Sequence, residues 1–287
     1  MKDAVGLVGL GLVGRALAHR LSIAGGTAIG FDRSAQACAE FAQGGGRVAA
    51  SLAELGTHCE HVVLAVFDTA GVLEVVEGLL GCTTLRAVVD CSTGDPDALQ
   101  ALAARLADRG IDFIEAPLSG SSQQIQQGTA TMLLGAEPAA LQRHGALLEA
   151  LSSQRIVVGG PGMGARAKLA TNLVLGLNRA ALAEGMVFAE RIGIAPDAFL
   201  KLVLATPARS DAALAKGERM VRGDFEPQSR IHQHLKDVNL MLEQAAAARQ
   251  RLPLSEVHAA LLRAAVAAGD GELDNAAIIR QIRRATS

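Results

Sequence analysis

The stretch Ala4-Val5-Gly6-Leu7-Val8-Gly9-Leu10-Gly11-Leu12-Val13-Gly14 constrains this chain more than any other, because it joins a short apolar run to G-x-G-x-x-G and then to a helical pattern. That order reads as a strand ending in a phosphate-binding turn. Gly9 permits the tight turn, Gly11 lets the backbone approach a pyrophosphate, and Gly14 lets the following helix pack closely on the strand. Leu10, Leu12 and Val13 belong to the same cofactor-binding turn. The pyrophosphate would rest on a helix N-terminus, where unpaired N–H groups and the helix dipole both favour negative charge. A chain with 31 glycines can form such a triplet by accident, so its surroundings decide. A second apolar run, Thr27 to Phe31, ends in Asp32, 18 residues beyond Gly14, where a dinucleotide site places the acid that bonds the ribose hydroxyls. Strand, glycines, helix and acid in this order predict dinucleotide binding.

The same N-terminus has the outline of a secretory signal, since Lys2 precedes an apolar stretch that ends near Ala16-Leu17-Ala18. Against this, Asp3 sits in the would-be basic region, four glycines interrupt the stretch, and cleavage would remove the first strand. The expectation is a strand rather than a leader. A net charge of −2 gives no general attraction to nucleic acid or anionic membrane, so neither is expected as a partner. No apolar run reaches the roughly 18 residues needed to span a bilayer. Cys38, Cys59, Cys82 and Cys91 form no C-x-x-C pair, which suits reduced thiols and a cytoplasmic location. The chain has no Tyr and no Trp, which excludes any mechanism built on a catalytic tyrosine.

The 287 residues allow one large or two ordinary domains. Up to about residue 160, short apolar runs alternate with amphipathic segments, the pattern of an α/β doubly wound parallel sheet with helices on both faces. The runs are Ala4–Val8, Thr27–Phe31, His61–Val66, Arg86–Cys91, Ile111–Ile114, Thr131–Gly135 and Arg155–Val158. Ser51-Leu52-Ala53-Glu54 fits a capping box, and Asp95-Pro96 puts a cap residue before a proline at the first helical position. Gly159-Gly160-Pro161-Gly162 breaks the pattern, and everything beyond it reads as helix. The first helical segment, from about Met163 to Ile192, is too long to pack against the first domain alone and reads as an interdomain helix. The expected division is a dinucleotide-binding domain over 1–161 and an all-α domain over 162–287. Further helices near 196–205, 208–221, 231–250, 254–268 and 274–284 are rich in Ala and Leu, a composition that finds burial in a second subunit, so a homodimer or homotetramer is expected.

Three more features bear on chemistry. Ser119-Gly120-Ser121-Ser122 follows an apolar run and Glu115-Ala116-Pro117, so it belongs at the C-terminal edge of the sheet, where doubly wound sheets bind ligands. Its hydroxyls and backbone N–H groups suit a carboxylate, although an ordinary loop has the same composition. Lys168 and Asn172 lie four apart near the start of the long helix and share a face. The glycines at 159–164 permit close approach of that helix start to a ligand, and its positive dipole end favours a lysine that exchanges a proton. Lys236-Asp237, in a later helix, reads by itself as a charged pair on a solvated face. A metal reading of His58-Cys59-Glu60-His61 or His232-Gln233-His234 is set aside, because residues two apart on a helix diverge and the first group runs into a buried strand.

Taken together, Gly9-Leu10-Gly11-Leu12-Val13-Gly14, Asp90-Cys91-Ser92-Thr93, Ala116-Pro117-Leu118-Ser119-Gly120, Gly162-x-Gly164-x3-Lys168-x3-Asn172 and Lys236-Asp237 resemble the β-hydroxyacid dehydrogenase family across essentially the whole chain. That family includes 3-hydroxyisobutyrate dehydrogenase, tartronate semialdehyde reductase and L-threonate dehydrogenase. The resemblance implies a Rossmann domain followed by an all-α domain like the C-terminal domain of 6-phosphogluconate dehydrogenase. It implies Lys168 as the catalytic lysine and Asn172 as its neighbour in the substrate site. Ser119, Gly120 and Ser121 would contact the substrate carboxylate, and Lys236 would bind ligand from the second domain. Thr93 would meet the cofactor near its nicotinamide end, and Val66 and Phe67, closing the run from His61, are placed with the cofactor as well. Where relatives commonly continue Ser-Gly with another glycine, this chain has Ser121-Ser122-Gln123-Gln124, a bulkier and more polar loop.

The expected activity is hydride transfer between a nicotinamide cofactor and a small β-hydroxyacid or its semialdehyde or keto counterpart, with no metal. Asp32 favours NAD, whereas Arg33 raises NADP as the alternative. The rival readings are an imine-reductase-like enzyme, whose relatives usually lack the lysine found at 168, and a dinucleotide-binding sensor without turnover, which would need neither Lys168 nor Asn172.

Overall fold

A computed structural model describes residues 4–285. Lys2 and Asp3, which entered the reading of the N-terminus, lie outside the described residues. The chain divides into two compact units that part between Lys168 and Leu169. The division falls inside a helix, a little beyond the expected 161/162 boundary.

The first unit is a sheet wrapped on both faces. Its strands are β1 (Val5–Val8), β2 (Ala28–Phe31), β3 (Arg47–Val48), β4 (His61–Leu64), β5 (Ala87–Asp90), β6 (Asp112–Glu115), β7 (Leu118–Ser119), β8 (Thr131–Gly135) and β9 (Arg155–Gly159). Its helices are α1 (Leu12–Ile23), α2 (Ala35–Gln43), α3 (Leu52–His58), α4 (Thr69–Leu79), α5 (Pro96–Ala107), α6 (Ser122–Gln127), α7 (Pro138–Arg143) and α8 (Gly145–Leu151), followed by the start of α9 (Met163–Arg191). The sheet order is β3-β2-β1-β4-β5-β6-β8-β7, with β9 on β8. Strand alternation sends Leu7, Val63, Val89 and Ile114 to one face, where Leu17 and Leu21 of α1 and Leu147 and Leu151 of α8 cover them. Val8, Val62, Leu64, Val88 and Phe113 point to the other face, under Leu55, Val72, Val76, Leu99 and Leu102.

The expected doubly wound parallel sheet is present, with an antiparallel strand added at one edge. From β3 to β6 every pair is parallel, but β8 runs antiparallel to both β6 and β7. Strands β6 and β7 lie end to end along β8, and the chain reverses through α6. An apolar run has no direction, so this reversal could not be read from the run Thr131–Gly135. The caps are closer to expectation. Asp95 Oδ1 accepts from the N–H groups of Asp97 and Ala98, each at 2.9 Å. Ser51 Oγ accepts from the Glu54 N–H at 3.1 Å, while the Glu54 carboxylate reaches back past Ser51 to the Ala50 N–H at 2.7 Å.

The second unit is helical, holding the rest of α9, α10 (Pro196–Ala205), α11 (Asp211–Arg222), α12 (Ile231–Ala247), α13 (Pro253–Ala267), a short 3-10 turn over Asn275–Ala277, and α14 (Ile278–Arg284). Its core gathers Leu169, Met186, Leu200, Met220, Ile231, Val238, Leu262 and Ile279. Asp274 is fully buried and pins the entry to α12: it accepts from Lys216 Nζ at 2.9 Å and from the N–H groups of Gln228 and Ser229. Burial alone would raise this carboxyl, but Lys216 and the backbone donors hold it below the ordinary carboxylate value. Among the described residues no helix is long and apolar enough to cross a membrane.

Candidate active site

Strands β1, β2, β4, β5 and β6 end in register, with Val8 opposite Phe31 and Leu64, Leu64 opposite Asp90, and Asp90 opposite Glu115. The chain crosses from β1 to β2 on one side and reaches β4 on the other, so the crevice outside these strand ends, beside β1 and β4, is the topological switch point. Gly9 turns there with φ +93°, and a Cβ on it would lie 2.3 Å from the Ala65 carbonyl oxygen. A Cβ on Gly14 would lie 1.8 Å from the Gly9 carbonyl oxygen, so α1 can start against the turn only with glycine at this position. Gly11 caps α1 without a side-chain bond, and a Cβ added to it would meet open space. The first-turn N–H groups of α1, with Leu12 and Val13 leading, therefore form a cradle suited to an anion.

Asp32 closes this cradle. Its Oδ2 accepts from the Leu10 N–H at 2.7 Å and its Oδ1 from the Ser34 N–H at 2.8 Å. Arg33 is exposed and bonds Glu74 of α4 at 3.1 Å. The loop after β4 is held by a short chain of bonds: the Val66 N–H donates to Ser92 Oγ at 3.0 Å, and the Ser92 N–H donates to Asp90 Oδ1 at 2.9 Å. This puts Val66, exposed Phe67 and half-buried Thr93 at the same strand ends as the glycine turn.

Ser119, expected in a loop, is the second residue of β7 and pairs with Thr131 of β8. Its half-buried hydroxyl has no hydrogen-bond partner among the described residues, and Gly120 beside it is exposed. Ser121 differs from these two. Its Oγ accepts from the Gln124 N–H at 3.3 Å and its own N–H donates to Gln124 Oε1 at 2.8 Å, a capping box that starts α6. Its N–H is spent on that helix and its Oγ accepts from it, whereas Ser119 and Gly120 take no part in the cap.

Lys168 is buried, at 8% exposure, and its Nζ donates to the Leu118 carbonyl oxygen at 2.7 Å, next to Ser119. The first turn of α9 sits against Glu115, whose carboxylate accepts from the N–H groups of Gly162 and Ala165. Sequence reasoning passed over Glu115. The signal available was an acid closing a buried strand two residues before a proline, at the position where Asp90 closes β5.

In the second unit, Asn172 of α9 is buried and its Nδ2 donates to Asp237 Oδ2 at 3.1 Å. Lys236 Nζ pairs with Asp237 Oδ1 at 2.9 Å. One turn beyond Asn172, a Cβ on Gly176 would lie 2.5 Å from His234 Nε2, and His234 lies one turn before Asp237. The two helices thus pass in opposite senses at close range, which brings Asn172 to Asp237. The reading of Lys236-Asp237 as a solvated charged face is corrected: Asp237 is 6% exposed and joins both proposed ligand residues of this unit. Of the histidines singled out as metal candidates, His61 has another partner. His61 Nε2 meets His144 Nδ1 at 3.0 Å, and His144 Nε2 meets Asp112 at 2.8 Å. Among the described residues no three His, Cys, Asp or Glu side chains are arranged to hold a metal.

Comparison with known proteins covers both units. Residues 4–160 match the model of the NAD binding domain of 6-phosphogluconate dehydrogenase, and residues 162–282 match that of the NAD-binding region of NADP-dependent 3-hydroxyisobutyrate dehydrogenase. The chain is 30% identical to the 2-hydroxy-3-oxopropionate reductase of Escherichia coli, covering 97% of this chain and 96% of that protein. It is 29% identical to the L-threonate dehydrogenase of Cupriavidus necator, over 98% of this chain and 96% of the relative. Among solved structures, 3-hydroxyisobutyrate dehydrogenase from Salmonella typhimurium matches with a TM-score of 0.87 at 30% identity, over 97% of this chain and 99% of that one.

Proposed function

The chain belongs to the β-hydroxyacid dehydrogenase family, and from that premise we propose that Lys168 serves as its general acid and base in hydride transfer between a nicotinamide cofactor and a small β-hydroxyacid. The protein is an NAD(P)-dependent oxidoreductase. The cofactor fits the residues present: the open cradle at Gly11 and the N-terminus of α1 suit the pyrophosphate, and Asp32 suits the ribose hydroxyls. Bound there, it supplies the hydride or accepts it, and the protein supplies geometry and electrostatics.

The observation that carries the reading is the placement of Lys168, buried near the start of α9 with Nζ held at the Leu118 carbonyl oxygen beside Ser119. An ammonium held there gives its proton to the carbonyl oxygen of a substrate during reduction, and the neutral amine takes it back from the hydroxyl during oxidation. Asn172 orients the reacting oxygen or the lysine, and its own orientation is fixed by Asp237. Ser119, Gly120 and Lys236 are proposed to bind the substrate carboxylate through a hydroxyl, a backbone N–H and an ammonium. Ser121 has the weakest support as a ligand, because its polar groups cap α6. NAD is the proposed cofactor on the strength of Asp32. Exposed Phe188, Leu254 and Val257 support a homodimer or homotetramer, and four free cysteines fit a reducing compartment such as the cytoplasm.

A panel of carboxylated hydroxyacids and semialdehydes, followed by nicotinamide absorbance, tests the reading. Turnover of at least one small acid with a saturable rate is expected. Cofactor binding without turnover of any acid would favour the sensor, and preferred reduction of neutral imines would favour the imine reductase.

A further inference from the structure

Glu115 is 1% exposed, ends β6, and faces the start of α9. One carboxylate oxygen accepts from the Gly162 N–H and the other from the Ala165 N–H at 2.7 Å. These are first-turn donors that no residue of the helix itself can satisfy, and a carboxylate at that end also meets the positive pole of the helix dipole. The approach is close on both sides. A Cβ on Gly164 would lie 2.7 Å from Glu115 Cβ, and one on Gly135 would lie 2.3 Å from the Gly164 nitrogen. The helix start is therefore seated on the ends of β6 and β8 with no room for side chains. Three residues beyond Ala165 the helix presents Lys168, and three residues beyond Glu115 the strand connection presents Leu118, whose carbonyl takes the Lys168 ammonium. Two crossed links, Glu115 to the helix backbone and Lys168 to the strand backbone, join the same two short segments.

We propose that Glu115, as a carboxylate, is the positioning residue for Lys168: by clamping the Gly162 and Ala165 N–H groups it fixes the first turn of α9 and so the place of the ammonium at the strand ends. The inference rests on the reading of Lys168 given above, and it adds a device by which that lysine is held. Only the ionised form offers an acceptor to both N–H groups without placing a proton against one of them. Several charged groups face it. Burial, first of all, pushes the Glu115 carboxyl up; the Ala165 and Gly162 donors oppose this, neighbouring Asp90 on β5 adds to it, and Arg166 of α9 opposes it, leaving the group at about 7. Arg166 is itself drawn to Asp97 of α5 at 2.6 Å. The clamp therefore opens within the pH range in which such an enzyme is assayed.

The test uses Glu115→Gln and Glu115→Asp in the full chain, with kcat and KM measured from about pH 5.5 to 9, cofactor affinity, and hydrogen exchange of the 160–168 segment. Glu115→Gln is expected to lower kcat by about 10- to 100-fold while cofactor affinity stays within a few-fold. It should also remove the acidic limb that the clamp gives the kcat profile and raise exchange at Gly162 and Ala165. Glu115→Asp, which keeps the charge on a shorter arm, should recover part of kcat and restore a limb. In the unmodified protein, exchange at these two amides should slow less on going below neutral pH than the falling chemical rate requires, a measurement that needs no variant to fold. Unchanged exchange in Glu115→Gln together with an unchanged pH profile overturns the clamp. Failure of the lysine reading looks different: Lys168→Ala would then retain turnover, while exchange at Gly162 and Ala165 still reports on Glu115.

Discussion

The Leu10 N–H donates to Asp32 Oδ2 at 2.7 Å, so the carboxylate that closes β2 also ties down the glycine turn after β1. With its other oxygen on the Ser34 N–H, the side chain is fixed before any ribose arrives, and each oxygen keeps a lone pair for a hydroxyl. A 2′-phosphate brought to the same place would meet a carboxylate that cannot turn aside. We expect kcat/KM to favour NAD(H) over NADP(H) by at least about tenfold, and Asp32→Ser to erase most of that preference. Exposed Arg33, paired with Glu74 at 3.1 Å on the surface, is the residue that would pull the other way. A tenfold preference for NADP(H) in the unmodified protein would show that it prevails.

Replacing Lys168 tests the proton transfer. Lys168→Ala should leave the cofactor dissociation constant nearly unchanged and lower kcat by about two to four orders of magnitude, the usual range for loss of a positioned proton donor. Stopped-flow measurement of the hydride step under single turnover separates this from slower product release. Near-normal turnover in a folded variant removes Lys168 from the mechanism.

Much of this arrangement was legible in the chain because it is local. The runs at β1, β2, β4 and β5 are four residues each and buried almost without interruption, as strands covered on both faces must be, and the spacing of Gly9, Gly11, Gly14 and Asp32 reports a single βαβ unit. Strands β3 and β7 escaped notice because two residues carry no period, which is why Ser119 read as loop. The shared face of Lys168 and Asn172 follows from helical spacing alone. What each bonds does not. Leu118 and Asp237 lie 50 and 65 residues away in sequence, and they meet their partners beside two tight glycines, Gly164 against Glu115 and Gly135, and Gly176 against the His234 ring, that no local pattern announces. Lys236-Asp237 looked solvated for the same reason.

Stability should depend on pH through His258. This imidazole is buried on α13, its ring centroid 5.2 Å from that of His234, with the Arg179 guanidinium nearby. Burial first, and Arg179 second, push its pKa down to about 4. An unfolded chain protonates the same group near the ordinary histidine value, so between about pH 6.5 and 4 the unfolded state holds more protons and stability falls as pH falls. The full effect is on the order of 3 kcal/mol and vanishes above neutrality. Unfolding by denaturant at several pH values in that window, for the unmodified protein and for His258→Leu, measures it. The variant should show a flatter dependence, and equal slopes in the two proteins would remove His258 as the source.

Recognition of the substrate separates an enzyme for small acids from one for neutral compounds. Lys236 is held by Asp237 at 2.9 Å, and Asp237 in turn holds Asn172, so the ammonium is positioned but half neutralised. Ser119 adds a hydroxyl with no hydrogen-bond partner among the described residues, and Gly120 an exposed backbone. If these groups bind a carboxylate, replacing it by an amide or methyl ester should cost on the order of 2–4 kcal/mol in kcat/KM, because donors arranged for an anion lose their counterion. Lys236→Ala should shrink the difference between acid and amide by lowering activity on the acid alone, whereas Ser119→Ala should do so less, since backbone donors remain. Asp237→Asn makes the sharper comparison: it leaves an acceptor for Asn172 but removes the charge beside Lys236, so discrimination in favour of the acid should rise while turnover of the amide stays level. Neutral alcohols turning over as well as the acids, with Lys236→Ala making no difference, would overturn the role proposed for Lys236 and leave the nicotinamide site standing.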